Sequence, residues 1–108
     1  MAIYKVVGQA APSATTNTDL YTVPSSTQTV ISTICVANRS VTATTFRIAV
    51  RPAGAAIANQ HYIAYDTAIA GNTSSFLTIG ASLATTDVIT VYAGAATVSF
   101  TAFGVENP

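Results

Sequence analysis

The chain has 108 residues, of which 50% are apolar and only 7% are charged, and its four basic and four acidic side chains give a net charge of zero. Soluble domains usually carry about 25% charged residues, so little electrostatic repulsion keeps copies of this protein apart. A net charge of zero disfavours nucleic acid as a ligand, and the lack of any run of about 20 apolar residues argues against a membrane span. We therefore expect a single domain, residues 1–108, whose partners are proteins, including other copies of itself.

The first two predicted strands span residues 3–7 and 20–23. Nothing at the start of the sequence resembles an export signal, so we expect the protein to fold in the cytoplasm in which it is made. Residues 9–18 are small and uncharged, which predicts an extended arm or a long loop. Such a segment would either cross an end of the domain or reach a neighbouring subunit.

Residues 29–38 are β-branched almost throughout and predict a central strand. Regular alternation would put Ile31 and Cys35 on one face and Ile34 and Val36 on the other. Cys35 is the only cysteine, so it cannot form an internal disulfide, and its place in the middle of a strand predicts a buried, unreactive thiol.

Residues 45–51 predict a half-buried strand that ends at Pro52. Phe46 and Ile48 should face inward, because apolar and polar residues alternate with a period of two. The link formed by residues 39–43 is short enough to join this strand to the preceding one as a hairpin.

Four further strands follow at the regular spacing that is typical of a sandwich or a barrel. They span residues 60–69, 75–79, 88–93 and 97–105. Glycines in the links between them suit tight turns, and the last two strands are expected to pair. The sequence thus predicts an all-β fold: a single antiparallel β-sandwich, Ig-like or jelly-roll-like, of about eight short strands.

Residues 19–39 (DLYTVPSSTQTVISTICVANR) resemble the small β-sandwich virion proteins of tailed bacteriophages. Residues 44–52, 61–66 and 86–93 fit the same pattern, so the resemblance covers nearly the whole chain. It implies a non-enzymatic structural subunit of the virion, chiefly an exterior capsid decoration or cement subunit that binds the major capsid protein. A tail, baseplate or fibre component that binds tail proteins is the alternative.

Arg39, Arg47 and Arg51 form the one cluster of charge, with no acidic residue between them in the sequence. Arg47 and Arg51 should share a strand face about 13 Å apart, which is too far for both to hold one carboxylate. We predict all three as subunit-interface residues that bind carboxylates of a neighbouring subunit. A solvated strand face is the alternative.

The sequence predicts no catalytic, metal or cofactor site, because its titratable residues are few and scattered. His61 is expected at the rim of the domain, bonded to backbone or water. Asp19 and Asp87 precede predicted strands and should accept hydrogen bonds from turn backbone, and Asp66 should pair with an arginine.

A carbohydrate-binding module is the second alternative function, because small β-sandwiches support lectin sites and five tyrosines could stack on sugars. Two features weigh against it. The chain has no tryptophan, and Tyr62 and Tyr65 should point to opposite faces of their strand unless a bulge intervenes.

Overall fold

The computed structural model describes residues 1–108 and contains eight β-strands and two single-turn 3-10 helices. The strands are β1 (Ile3–Ala10), β2 (Thr18–Thr22), β3 (Gln28–Asn38), β4 (Thr44–Arg51), β5 (Tyr62–Ile69), β6 (Ser74–Leu83), β7 (Val88–Ala93) and β8 (Val98–Asn107). The 3-10 helices are Pro52–Gly54 and Asn59–His61. Neither helix approaches the length and hydrophobicity of a membrane-spanning segment.

The strands form two four-stranded antiparallel sheets, which confirms the predicted β-sandwich. Sheet I has the order β1-β8-β3-β6, and sheet II has the order β2-β7-β4-β5. Strands β1, β2, β3 and β4 pair with β8, β7, β6 and β5 respectively, so the chain forms one long antiparallel ribbon that wraps around the core. This wrapped ribbon is the jelly-roll arrangement, one of the two predicted.

The core lies between the sheets and consists of 16 buried apolar residues. Phe46 of sheet II and Phe100 of sheet I meet at its centre, with ring centroids 6.2 Å apart and planes inclined at 73°. Both rings are almost fully buried, and burial of one such ring stabilises a fold by about 1.5–3 kcal/mol. The inward period-two residues of β4 therefore pack as predicted.

The predicted hairpin between β3 and β4 is wrong, because β3 lies in sheet I and β4 in sheet II. The predicted pairing of β7 with β8 is wrong for the same reason. Short links of this kind cross the edge of a sandwich as readily as they close a hairpin.

Asn38 fixes the crossing from β3 to β4 with a buried side chain that makes four hydrogen bonds. Its Nδ2 donates to the carbonyls of Thr42 at 2.9 Å and Ala70 at 3.3 Å, and its Oδ1 accepts from the Ser40 N–H and the Thr97 hydroxyl, both at 3.1 Å. The carboxamide thus joins the crossing to two other links of the chain.

A β-bulge in β3 changes which residues face the core. The register with β6 and β8 shifts between Ile31 and Thr33, so Ile31, Ile34 and Val36 are all buried. The prediction that Ile31 and Cys35 share one face of β3 is therefore wrong. Cys35 lies on the outer side of sheet I and is partly exposed instead of buried.

Strand β6 also departs from the sequence expectation, because it continues through Gly80 to Leu83. Gly80 adopts a φ of +57° inside the strand, which glycine tolerates without steric cost. Gly80 therefore lies at a bulge within β6, whereas the sequence predicts a turn there, after the strand.

The segment comprising residues 9–18 contacts its own domain. Gln9 and Ala10 belong to β1, and Thr18 belongs to β2, so the remaining residues carry the chain from sheet I to sheet II. The backbone N–H of Thr15 donates to the carbonyl of Ala93 at 2.8 Å. Within the single chain the segment crosses an end of the sandwich, and its contact with a neighbouring subunit stays a prediction.

Candidate functional surfaces on the two sheets

The outer face of sheet II carries two tyrosines that a bulge brings together. The register of β4 with β5 shifts on both sides of Ile48, and Asp66 adopts a φ of +47°. Tyr62 and Tyr65 therefore lie on the same face, with ring centroids 4.8 Å apart and planes inclined at 82°. The sequence-based expectation of opposite faces allowed for a bulge as its exception, and the structure contains that bulge.

Arg47 is clamped between two of the tyrosines on this face. Its Cζ lies 4.3 Å from the ring centroid of Tyr65 and 4.2 Å from that of Tyr92. Its Nε donates to Asp66 Oδ1 at 2.6 Å and its Nη2 donates to Asp66 Oδ2 at 3.3 Å, which confirms the predicted pairing of Asp66 with an arginine. The hydrogen bond to Asp66 raises the pKa of Arg47 further, so the guanidinium stays charged. We call Arg47, Tyr62, Tyr65, Asp66 and Tyr92 the tyrosine–arginine cluster.

Arg51 directs every group of its guanidinium to partners within the chain. Nε donates to the Thr90 hydroxyl at 2.9 Å, and Nη2 donates to Asp19 Oδ1 at 3.0 Å. Nη1 donates to the carbonyls of Ala55 and Gly54 at 3.0 and 3.3 Å. Asp19 therefore binds side chains, whereas it was expected to accept from turn backbone.

The three predicted interface arginines do not form one site. Arg47 and Arg51 each hold a carboxylate of their own chain on sheet II. Arg39 follows β3 and makes a single bond, from Nη2 to the Ala96 carbonyl at 3.2 Å. Of the three guanidinium groups, that of Arg39 is the most available to a neighbouring subunit, and the interface role of all three stays a prediction.

The outer face of sheet I has the opposite chemistry, because it carries no charged side chain. Lys5 and Glu106 are the only charged residues of its four strands, and they pair with each other on the inner side, with Nζ 2.9 Å from Oε1. Tyr4 and Phe76, at the two edges of the sheet, are 81% and 68% exposed. The strand register arranges the outward-facing side chains of sheet I in three rows that run from β1 to β6. The first row is Tyr4, Val105, Val30 and Ser82, the second is Val6, Phe103, Thr33 and Thr78, and the third is Gln9, Thr101, Cys35 and Phe76. We call this surface the uncharged face.

A buried polar group joins the two sheets at one end of the sandwich. The Tyr21 hydroxyl donates to Glu106 Oε2 at 2.6 Å and lies 2.7 Å from the Thr29 hydroxyl. Burial, aided by the bond to Glu106, raises the pKa of Tyr21 to about 12. Two hydrogen bonds lower the pKa of Glu106: the one from Tyr21 has the larger effect, and the one from Lys5 has the smaller. This group was not predicted from the sequence, because the last predicted strand ended at residue 105, before Glu106.

The residues considered for chemistry lie apart. Cys35 belongs to sheet I, whereas His61 precedes β5 of sheet II, and its Nδ1 accepts from the Ala58 N–H at 3.0 Å. The bond to backbone was expected, and the His61 side chain is buried. Asp87 accepts from the N–H groups of Ala53 at 2.8 Å and Ala84 at 2.9 Å, as predicted. No three His, Cys, Asp or Glu side chains lie close enough together to hold a metal ion.

Comparison of the chain with protein-family models, with curated proteins and with solved structures gave no match. The two outer faces of the sandwich, with the uncharged face on sheet I and the tyrosine–arginine cluster on sheet II, are the candidate functional surfaces.

Proposed function

We propose that this protein is a non-enzymatic structural subunit of a tailed-phage virion, and specifically a decoration subunit on the exterior of the capsid. The uncharged face of sheet I is the observation that carries the proposal. The resemblance of residues 19–39 to small virion proteins supports the same role. Jelly rolls are frequent in viral capsids, but a fold alone assigns no function, so the chemistry of the face bears most of the weight.

The uncharged face is large enough to hold a protein partner. Strand β3 runs through its middle for 11 residues. With strands about 4.8 Å apart and a rise of about 3.3 Å per residue, the face measures roughly 19 by 36 Å, or about 680 Å² in projection. A standard interface covers about 800 Å² on each partner, so one face of this kind supplies most of what stable attachment needs.

The composition of the face also suits permanent contact. Thr, Ser, Val and Ala lose little side-chain entropy when a partner immobilises them, whereas Lys and Glu lose more. Charged residues are depleted at the centres of protein interfaces, because they must be desolvated there. Tyr4 and Phe76 are aromatic residues of the kind that dominate binding energy when they are buried.

The partners in this proposal are other copies of the chain and the major capsid protein. The runner-up is a tail, baseplate or fibre subunit, which would use the same face on tail proteins. Copy number separates the two roles, because decoration subunits follow the capsid symmetry and a tail holds few equivalent positions. Quantitative mass spectrometry of purified particles should find hundreds of copies per virion. A handful of copies would favour the tail, and complete absence from particles would contradict both roles.

A charge placed on the uncharged face tests the surface itself. Phe76→Glu should prevent self-association and binding to particles that lack the protein, because a buried, unpaired carboxylate is costly. Val41→Glu is the matched control, since Val41 is also exposed, at 81%, but lies in the link between β3 and β4. Both variants should unfold at nearly the same temperature as the wild type. Equal binding by the two variants would remove the uncharged face from the proposal.

Cys35 provides an independent readout, because the only thiol of the chain lies on the uncharged face in the same row as Phe76. Its alkylation should be slower in assembled particles than in the free protein. The Phe76→Glu protein, mixed with the same particles, should react at the free rate. An equal alkylation rate in free and particle-bound wild type would show that the face stays open.

A further inference from the structure

The tyrosine–arginine cluster on sheet II presents aromatic rings in fixed positions. Arg47 is held between the rings of Tyr65 and Tyr92 and is tied to Asp66 by two hydrogen bonds. Tyr62 packs against Tyr65, which still exposes 57% of its surface. A ring that is already immobilised loses little entropy when a ligand stacks on it.

The backbone of β5 is strained at the cluster. Asp66 occupies the left-handed region, which non-glycine residues adopt at an energetic cost. The bulge at this point leaves both Tyr65 and Asp66 exposed and lets Ala64 and Ile69 both face the core. A second register shift, between Ile48 and Ala49, lies beside Tyr62 and brings it to the same side as Tyr65. Bulges re-aim side chains in this way beside functional sites.

Unused hydrogen-bonding groups surround the rings. Tyr21 is the only tyrosine whose hydroxyl bonds within the chain, so the hydroxyls of Tyr62, Tyr65 and Tyr92 are free. Asn59, whose carboxamide is also free, lines an open depression of about 500 Å³ with Tyr62 and Tyr65. The depression therefore combines aromatic surface with donors and acceptors at its edge.

The charge of the cluster selects against ionic ligands. Arg47 and Asp66 neutralise each other, and the three residues that line the depression are uncharged. An anionic or cationic ligand would gain no net attraction here. A pyranose sugar fits better, because its C–H face stacks on an aromatic ring while its hydroxyls bond to polar groups around that ring.

We propose that Tyr62, Tyr65 and Asn59, supported by Arg47 and Asp66, form a binding site for a neutral carbohydrate. The site lies on the sheet opposite to the uncharged face. It stays accessible when that face is covered, so the glycan site is independent of the structural role.

Titration of the nitrogen-15-labelled protein, followed by NMR, tests the site. The probes are neutral hexasaccharides of glucose, mannose, galactose and N-acetylglucosamine, together with a hexasaccharide of glucuronic acid. At least one neutral probe should give saturable shifts at the Arg47 Nε–H and at the amides of residues 59–66, and the acidic probe should bind more weakly.

Substitutions then assign the binding to the cluster. Tyr65→Ala should weaken the affinity by roughly fivefold or more, because it removes the stacking surface, whereas Tyr65→Phe keeps the ring and most of the affinity. Tyr4→Ala is the matched control, since it removes an exposed tyrosine from sheet I, and it should change nothing.

Any one of four results would overturn the site. One is the lack of saturable shifts with all four neutral probes, and another is binding that persists in Tyr65→Ala. The third is binding of the acidic probe alone. Shifts of the same residues caused by a capsid protein, but by no sugar, would assign the cluster to a protein partner and likewise reject the proposal.

Discussion

Replacing Tyr21 by phenylalanine would remove the one hydroxyl that ties sheet II to Glu106 and Thr29 of sheet I. One carboxylate oxygen and the Thr29 hydroxyl would then lose their partner in a buried site. A hydrogen bond to a charged group contributes about 1.5–3 kcal/mol, so we expect the free energy of unfolding to fall by about 2 kcal/mol at pH 7.

The corresponding change in melting temperature follows from the size of the chain. An unfolding entropy of about 2.1 cal/mol/K per residue gives about 0.23 kcal/mol/K for 108 residues. A loss of 2 kcal/mol therefore lowers the Tm by roughly 9 °C. Tyr4→Phe is the control, because Tyr4 is exposed and its hydroxyl makes no bond, and its Tm should stay within about 2 °C of the wild type.

The same group makes stability depend on pH at both extremes. The pKa of Glu106 is lowered from its ordinary value of 4.5, so its contribution is present above that pH and is lost as the pH falls toward the folded value. The pKa of Tyr21 is raised from 10.0 to about 12, so the unfolded chain loses this proton first and stability falls between these values. Tyr21→Phe should abolish the alkaline loss and reduce the acid one.

Urea unfolding followed by far-ultraviolet circular dichroism, from pH 3 to pH 12, measures both effects. At pH 7, a Tyr21→Phe protein within about 0.5 kcal/mol of the wild type would refute the energetic role of the hydroxyl. An unchanged alkaline slope in the variant would refute the assignment of that slope to Tyr21.

Two further predictions concern the links between strands, and urea unfolding checks both. Asn38→Ala should cost about 2–3 kcal/mol, because it leaves buried polar groups without partners, whereas Asn17→Ala, at an exposed position, should cost less than about 0.5 kcal/mol. Gly71→Ala should be severe, since its Cβ would lie 2.1 Å from the Val41 carbonyl oxygen, while Gly80→Ala meets no atom within 4 Å and should cost about 1 kcal/mol for its positive φ. Equal losses at the two glycines would contradict the close approach at Gly71.

The strands could be predicted from the sequence because apolar residues recur with a period of two. Strand β7 spans residues 88–93 in both the prediction and the structure, and β3 and β4 each differ from their predictions by one residue. Pairing could not be predicted in the same way. A short link such as residues 39–43 satisfies either a hairpin or a crossing, and two of the four bonds of Asn38 that fix the crossing involve distant parts of the chain, at Ala70 and Thr97.

The candidate surfaces depended on bulges, which the sequence does not mark clearly. The bulge in β3 puts Cys35 on the uncharged face, and the two register shifts between β4 and β5 assemble the tyrosine–arginine cluster. A shift by one residue reverses the direction of every later side chain in a strand. The pairing of Asp66 with an arginine was predicted from charge, whereas the choice of Arg47 and its clamping by two tyrosines required the correct register of three strands.

The wrapped ribbon also constrains how the protein is made. Strand β3 has high β-propensity and no charge, and both of its neighbours, β6 and β8, come later in the chain. While the ribosome is still synthesising those neighbours, β3 has both edges open, and an unpaired strand of this type readily joins a strand of another chain. Pairings between distant segments also form slowly, so sheet I closes only after β8 has emerged. Each newly made chain therefore passes through an interval in which it is prone to aggregate. A chaperone that keeps β3 away from other chains during this interval would favour correct folding before assembly.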